Sequence, residues 1–116
     1  MENEYKLSVF NVTQTSTPAG RTSENGLPAG DTVRKLIGDH WDKCERIVVS
    51  FDGIAKMTRP FIDEAFAKLL ETHTLEEFNK KVFFPDASDG IVKALNEAFK
   101  LRLKIMQAQR EREGGI

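Results

Sequence analysis

The sequence predicts an α/β fold, a small mixed sheet of about four strands with helices packed against it. Two observations carry this reading. The run RIVVSF (46–51) is short, apolar and bounded by charge, as a strand inside a sheet should be. Segments with helical spacing lie on both sides of it, and strands alternating with helices imply parallel crossovers with helices against the sheet. The length of 116 residues suits one core, so residues 1–116 are read as a single domain.

Each element has its own signal. In YKLSVFNV (5–12), Tyr5, Leu7 and Val9 alternate with Lys6 and Ser8, which predicts a strand with one drier face. Residues 13–30 are rich in Thr, Ser, Gly and Pro. They form a long loop or hide a short strand near Ala19–Thr22, and are expected to be the most mobile interior segment, cut first near Arg21. Asp31 is expected to cap a helix with the stripe Val33, Leu36, Ile37 and Trp41, which Gly38 weakens. Ile47, Val48 and Val49 then suit a central strand covered on both faces.

After the turn DGIAKM (52–57), Thr58 caps a helix over 60–71 and Pro60 fits its first turn. Asp63 and Glu64 fall near the positive end of that helix and read as surface charges. Phe61, Ile62, Ala65, Phe66 and Leu69 make its buried face. Thr74 and Glu77 form a capping box for a short helix over 75–79. KKVFFP (80–85) is a third strand ended by Pro85, and Ser88 or Asp86 caps a long helix carrying Ile91, Leu95, Ala98, Phe99, Arg102 and Ile105. The tail 107–116 is polar and expected to fray.

Composition excludes several classes. Hydrophobic residues are 40% and charged residues 30% of the chain, unlike a disordered or membrane protein. The net charge of −1 lacks the basic excess of a nucleic-acid-binding domain. No secretory signal is visible at the start, and no apolar run approaches the roughly 20 residues that span a bilayer. Cys44 is the sole cysteine, which fits a reducing cytoplasm.

Catalytic and metal signals are weak. His40 and Cys44, four apart on a predicted helix, could begin a zinc site, but structural zinc takes four ligands and His73 has no partner pattern. A polar helix edge and a semi-buried thiol is the expected reading. The glycines of GLPAGDT (26–32) could cradle an anion at a helix start, yet the P-loop lysine is missing. Asp52, Asp63 and Glu64 cluster near one turn, but adjacent Asp63 and Glu64 should point to different faces. No catalytic set, metal or cofactor is expected.

The stretch RIVVSFDGIAKMTRPFIDEAFAKLL (46–70), an apolar strand, Asp-Gly, a short loop and a helix, resembles STAS domains, named for sulfate transporters and anti-sigma-factor antagonists. It is especially similar to a bacterial STAS-like family of unknown function. Its Phe-x-Asp-Glu-Ala-Phe motif falls on Phe61, Asp63, Glu64, Ala65 and Phe66, and its Gly-x-x-hydrophobic-Arg helix start on Gly30, Val33 and Arg34. The resemblance implies a non-enzymatic regulatory module whose partner, a histidine-kinase-like ATPase in the antagonists, docks at the strand-to-helix junction. The expected contact residues are Lys56, Thr58, Arg59, Phe61, Asp63 and Glu64. The phosphoserine region of the antagonists falls on Thr58, Arg59 and Pro60, so Thr58 is the candidate phosphoacceptor. The alternative is a small-ligand or nucleotide-binding domain that uses helix N-termini as an anion site.

Overall fold

The computed structural model describes residues 2–114. In chain order these form β1 (Glu2–Ser8), α1 (Val9–Thr13), α2 (Gly30–His40), β2 (Cys44–Ser50), α3 (Arg59–Ala65), a 3₁₀ segment (Ala67–Glu71), α4 (Leu75–Lys81), β3 (Val82–Phe83) and α5 (Asp89–Gly114). The sheet has three strands in the order β1-β2-β3, all parallel, instead of the mixed sheet of about four. The first strand ends earlier than predicted because the Ser8 hydroxyl accepts from Asn11 N (3.1 Å) and starts α1. Val9 is buried all the same, so the alternation that suggested a longer strand recorded burial and not extension. β3 is reduced to two residues because α4 runs on to Lys81.

The sheet is covered on one face only. Leu7, Ile47, Val49 and Val82 are buried beneath the helices. On the opposite face Lys6, Arg46 and Phe83 are exposed and Val48 is half-buried, which corrects the expectation of a strand covered on both sides. Both crossovers step in the same direction across the sheet, and right-handed connections then put their helices on one side. The buried layer between sheet and helices includes Phe51, Phe61, Ile62, Phe66, Phe78, Leu95 and Phe99. Phe66 packs edge-on to Phe51 and Phe84, with ring centroids 6.0 and 5.5 Å away. The predicted helix over 60–71 breaks at Phe66, whose φ of −124° lies outside the α region, and continues as the 3₁₀ segment. The buried stripe Phe61, Ile62, Ala65, Phe66 and Leu69 is as expected.

Several local predictions are met. Thr58 caps α3 and Pro60 lies in its first turn; Thr74 and Glu77 form a capping box; and Ile91 N donates to Ser88 Oγ (3.2 Å) before α5. Asp31 does not cap α2. It lies in the first turn, where its carboxylate accepts from Ser23 N at 3.0 and 3.1 Å. α5 runs to Gly114, so the polar tail predicted from 107 is helical and exposed as far as the described residues go, and its last two residues lie outside the described part.

The loop 13–30 contains no strand, only a bridge between Glu24 and Leu27, and its stem is bonded to the body at many points. Ser16 O accepts from Ala55 N (2.7 Å) and Lys56 N (3.2 Å), and Pro18 O accepts from Thr58 N (3.2 Å). Gly20 O and Arg21 O accept from Gly30 N (3.0 Å) and Asp31 N (2.8 Å), and Pro18 is buried. Arg21 is exposed but held by these stem bonds, whereas the turn at 24–27 makes no such backbone bond to the body among the described residues. Within this loop, limited proteolysis with mass spectrometry should find glutamyl endopeptidase cutting after Glu24 while trypsin spares Arg21; early cleavage at Arg21 would contradict the bonded stem.

Candidate functional site

The β2–α3 junction is built by hydrogen bonds on one side and by ion pairs on the other. At the end of β2 the Asp86 carboxylate accepts from Ser50 Oγ (2.6 Å) and Phe51 N (2.9 Å). Burial opposes the ionisation of Asp86, but these bonds outweigh it and hold its carboxyl below the usual range. Ile54 N then closes a turn on Phe51 O (2.9 Å). Gly53 sits in this turn at φ 84°, where a side chain would be strained and a Cβ would also meet Phe10 at 3.1 Å. Downstream, the Thr58 hydroxyl donates to Ala19 O (2.6 Å) and accepts from Phe61 N (3.3 Å). Thr58 thus caps α3 and ties the 13–30 loop to it with one side chain.

Asp63 and Glu64 are not surface charges near the start of the helix dipole, as the sequence suggested. They lie beyond the first turn of α3, and Glu64 is 3% exposed. Cations from four other places reach them. Arg34 on α2 meets Glu64 at 2.6 Å, and Lys68, in the 3₁₀ segment, meets it at 3.1 Å. Arg21 in the loop bridges both carboxylates, at 2.7 Å to Asp63 and 3.4 Å to Glu64. Arg102 on α5 grips both oxygens of Asp63, its Nε donating to Oδ1 at 2.9 Å. Burial raises the pKa of both carboxyls, but the hydrogen bonds from Arg102 and Arg21 to Asp63, and those from Lys68 and Arg21 with the charge of Arg34 at Glu64, leave both below the ordinary range. Gly30 makes this possible, because a Cβ there would lie 2.8 Å from Glu64 Cβ and push α2 away.

The exposed side of the junction faces a groove of about 300 Å³ between α3 and α5. Its apolar wall is Pro60, Ala94, Ala98, Leu101 and Ile105, and Arg21, Arg59, Asp63, Glu97 and Arg102 complete it. The Arg59 side chain is 83% exposed and, among the described residues, pairs only with Glu97 at 3.4 Å.

The predicted contact residues therefore divide. Lys56 and Arg59 are exposed and Thr58 and Asp63 half-buried, whereas Phe61 and Glu64 are buried and offer no surface. Arg21, Arg34, Lys68 and Arg102 were missed as members of the site; the one local signal was a cation, Arg102, inside the apolar stripe of α5. The possible zinc pair does not form. The His40 ring stacks on Tyr5 and its Nδ1 bonds Leu36 O (2.8 Å), while Cys44 is buried in β2. Among the described residues no three His, Cys, Asp or Glu side chains gather as a metal would require. The anion cradle at GLPAGDT does not form either, because the amides of Gly30 and Asp31 donate to the loop carbonyls. Among the described residues no helix is long and apolar enough to cross a membrane.

A family model described as a STAS-like domain of unknown function matches residues 29–92, more than half of the chain, and the chain belongs to that family. No curated protein and no solved structure matches it. The matched span contains Gly30, Arg34, Asp63 and Glu64, and the structure brings Gly30 and Arg34 to the Glu64 carboxylate. Arg21 and Arg102 come from outside that span.

The sign of the pH dependence follows from the lowered carboxyl pKa values. Their contribution to stability is present above the ordinary carboxyl range near pH 4 and is lost as pH falls through the folded values. Glu64→Gln should lower the urea midpoint at about pH 7 and lose less on acidification to about pH 3 than the wild type does. An equal acid loss in both would show that Glu64 is not held by its cations.

Proposed function

We propose that this chain is a non-enzymatic protein-interaction and regulatory module that binds a protein partner through the exposed half of the β2–α3 junction. The observation that carries this reading is the division of the junction itself. Its inner half, with Phe61, Glu64 and the Thr58 cap, is fixed by burial and bonding, and its outer half presents Lys56, Arg59 and Pro60 beside an apolar groove. A rigid base beneath an exposed arginine reduces the ordering cost of an interface, and arginine is among the residues that anchor interfaces most strongly. A histidine-kinase-like ATPase is the partner that the resemblance to anti-sigma-factor antagonists suggests. Binding requires no phosphate on Thr58, whose hydroxyl already serves as cap and tether.

A second reading, a small ligand in the groove, is favoured by its volume, which falls at the small end of ligand pockets. An anion at the helix N-termini has less support, since the first amides of α2 are taken by the loop and Pro60 has no N–H to offer in α3.

Isothermal titration with a co-purifying histidine-kinase-like ATPase domain tests the proposal. Arg59→Ala should weaken binding by about 2 kcal/mol and leave the urea midpoint nearly unchanged. Thr58→Ala should cost at least about 1 kcal/mol of stability and keep its affinity. Full affinity in Arg59→Ala would overturn the junction as the contact surface. A thermal shift with small ligands but no binding by the protein would favour the second reading.

A further inference from the structure

The turn at residues 24–27 has no role in the site described above. Asn25 and Gly26 both have positive φ, 52° and 78°, and Leu27 N donates to Glu24 O at 2.8 Å. This is the type I′ geometry that Asn-Gly favours. The stem is fixed by the bonds of Gly30 and Asp31 to the carbonyls of Gly20 and Arg21, and by Ser23 N on the Asp31 carboxylate. Leu27 at the turn is nonetheless 70% exposed, the most exposed large hydrophobic among the described residues. The backbone of a leucine on a bonded turn has little freedom left to lose on binding.

The next most exposed large hydrophobic is Leu101, at 53%, in the wall of the α3–α5 groove. Beside that wall stands Arg59, whose pair with Glu97 is solvent-exposed and worth little. The turn thus presents an apolar side chain with a carboxylate, Glu24, at its other end. The groove presents an apolar wall with a guanidinium beside it. Exposed apolar surface and opposite charge are thus present on two parts of the same molecule. Arg21 belongs to the groove and also to the stem of the loop that carries the turn. The groove thus adjoins the stem of the loop that carries the turn, and a two-fold interface between identical chains uses one surface patch on both copies.

We infer that two copies of this chain pair by exchanging their Glu24–Leu27 turns, with Leu27 of each seated in the α3–α5 groove of the other and Glu24 facing the other copy's Arg59. This goes beyond the reading of the junction as a surface for a different protein. Since both uses engage Arg59, a partner and a second copy compete for the groove.

Sedimentation velocity of the purified chain, from about 1 μM to about 1 mM, reads the association directly. The wild type should show a reversible monomer–dimer equilibrium. Leu27→Asp should raise the dissociation constant roughly hundredfold or more, because each dimer loses two leucines and each seat is worth roughly tenfold or more. Glu24→Arg and Arg59→Glu should each weaken the dimer, and the two together should restore it, which a structural role for either residue would not produce. Circular dichroism confirms that each variant is folded. A monomer at every concentration, a dimer indifferent to Leu27→Asp, or a double charge reversal no tighter than the single ones would overturn the inference. The chain is measured alone, so that failure leaves the partner reading of the junction standing.

Discussion

A carboxylate with almost no access to water is costly unless cations and hydrogen bonds accompany it, and the uncompensated cost is several kcal/mol. Glu64 is in that position. Its compensation comes from Arg34 on α2, Lys68 in the 3₁₀ segment and Arg21 in the 13–30 loop. Each requires its own part of the chain to be close. α2 approaches because Gly30 has no Cβ to meet Glu64. The loop approaches because its carbonyls accept from Ala55, Lys56, Thr58, Gly30 and Asp31. α5 joins through Arg102 on Asp63, the neighbour that shares Arg21. One short helix thereby holds together segments that the sheet alone does not.

The same arrangement explains why the junction offers a surface. With Phe61 and Glu64 committed to the interior and Thr58 bonded on both sides, the exposed residues Lys56, Arg59 and Pro60 sit on a base that does not have to be ordered by a partner. The groove beside them exists because α5 is held at the level of Asp63 by Arg102, leaving small side chains, Ala94 and Ala98, opposite Pro60. Structure and proposed binding are thus linked through Asp63, which faces the core network on one side and the groove on the other.

Features set by near neighbours in the chain were legible in the sequence. The Thr58 cap, the place of Pro60, the Thr74–Glu77 box and the buried stripe of α3 all follow from spacing within a turn or two. The resemblance carried by Gly30, Arg34 and the Phe61–Phe66 motif was legible too, although not that these motifs touch. Arg21 meets Asp63 across 42 positions of sequence, and no periodicity reports such a contact. Asp63 and Glu64, adjacent in the chain, read as pointing to different faces, yet one guanidinium bridges them. The bare face of the sheet was hidden for another reason: Val48 is as apolar as Val49, and only the direction of the crossovers decides which of them is covered. The polar composition of 13–30 suggested a mobile loop and gave no sign of the bonds that its backbone carbonyls make to the body, which composition does not count.

Arg21 fastens the loop to α3 and so gives the junction its rigid base. Hydrogen exchange on Arg21→Ala, compared with the wild type, reads that fastening amide by amide. Losing a charged hydrogen bond to each carboxylate should speed exchange at the amides of Ala55, Thr58 and Asp31 by roughly tenfold or more, while the amides of β2 keep their wild-type rates. Unchanged protection at Ala55 and Thr58, or an equal rise throughout β2, would show that Arg21 is not what holds the loop to α3.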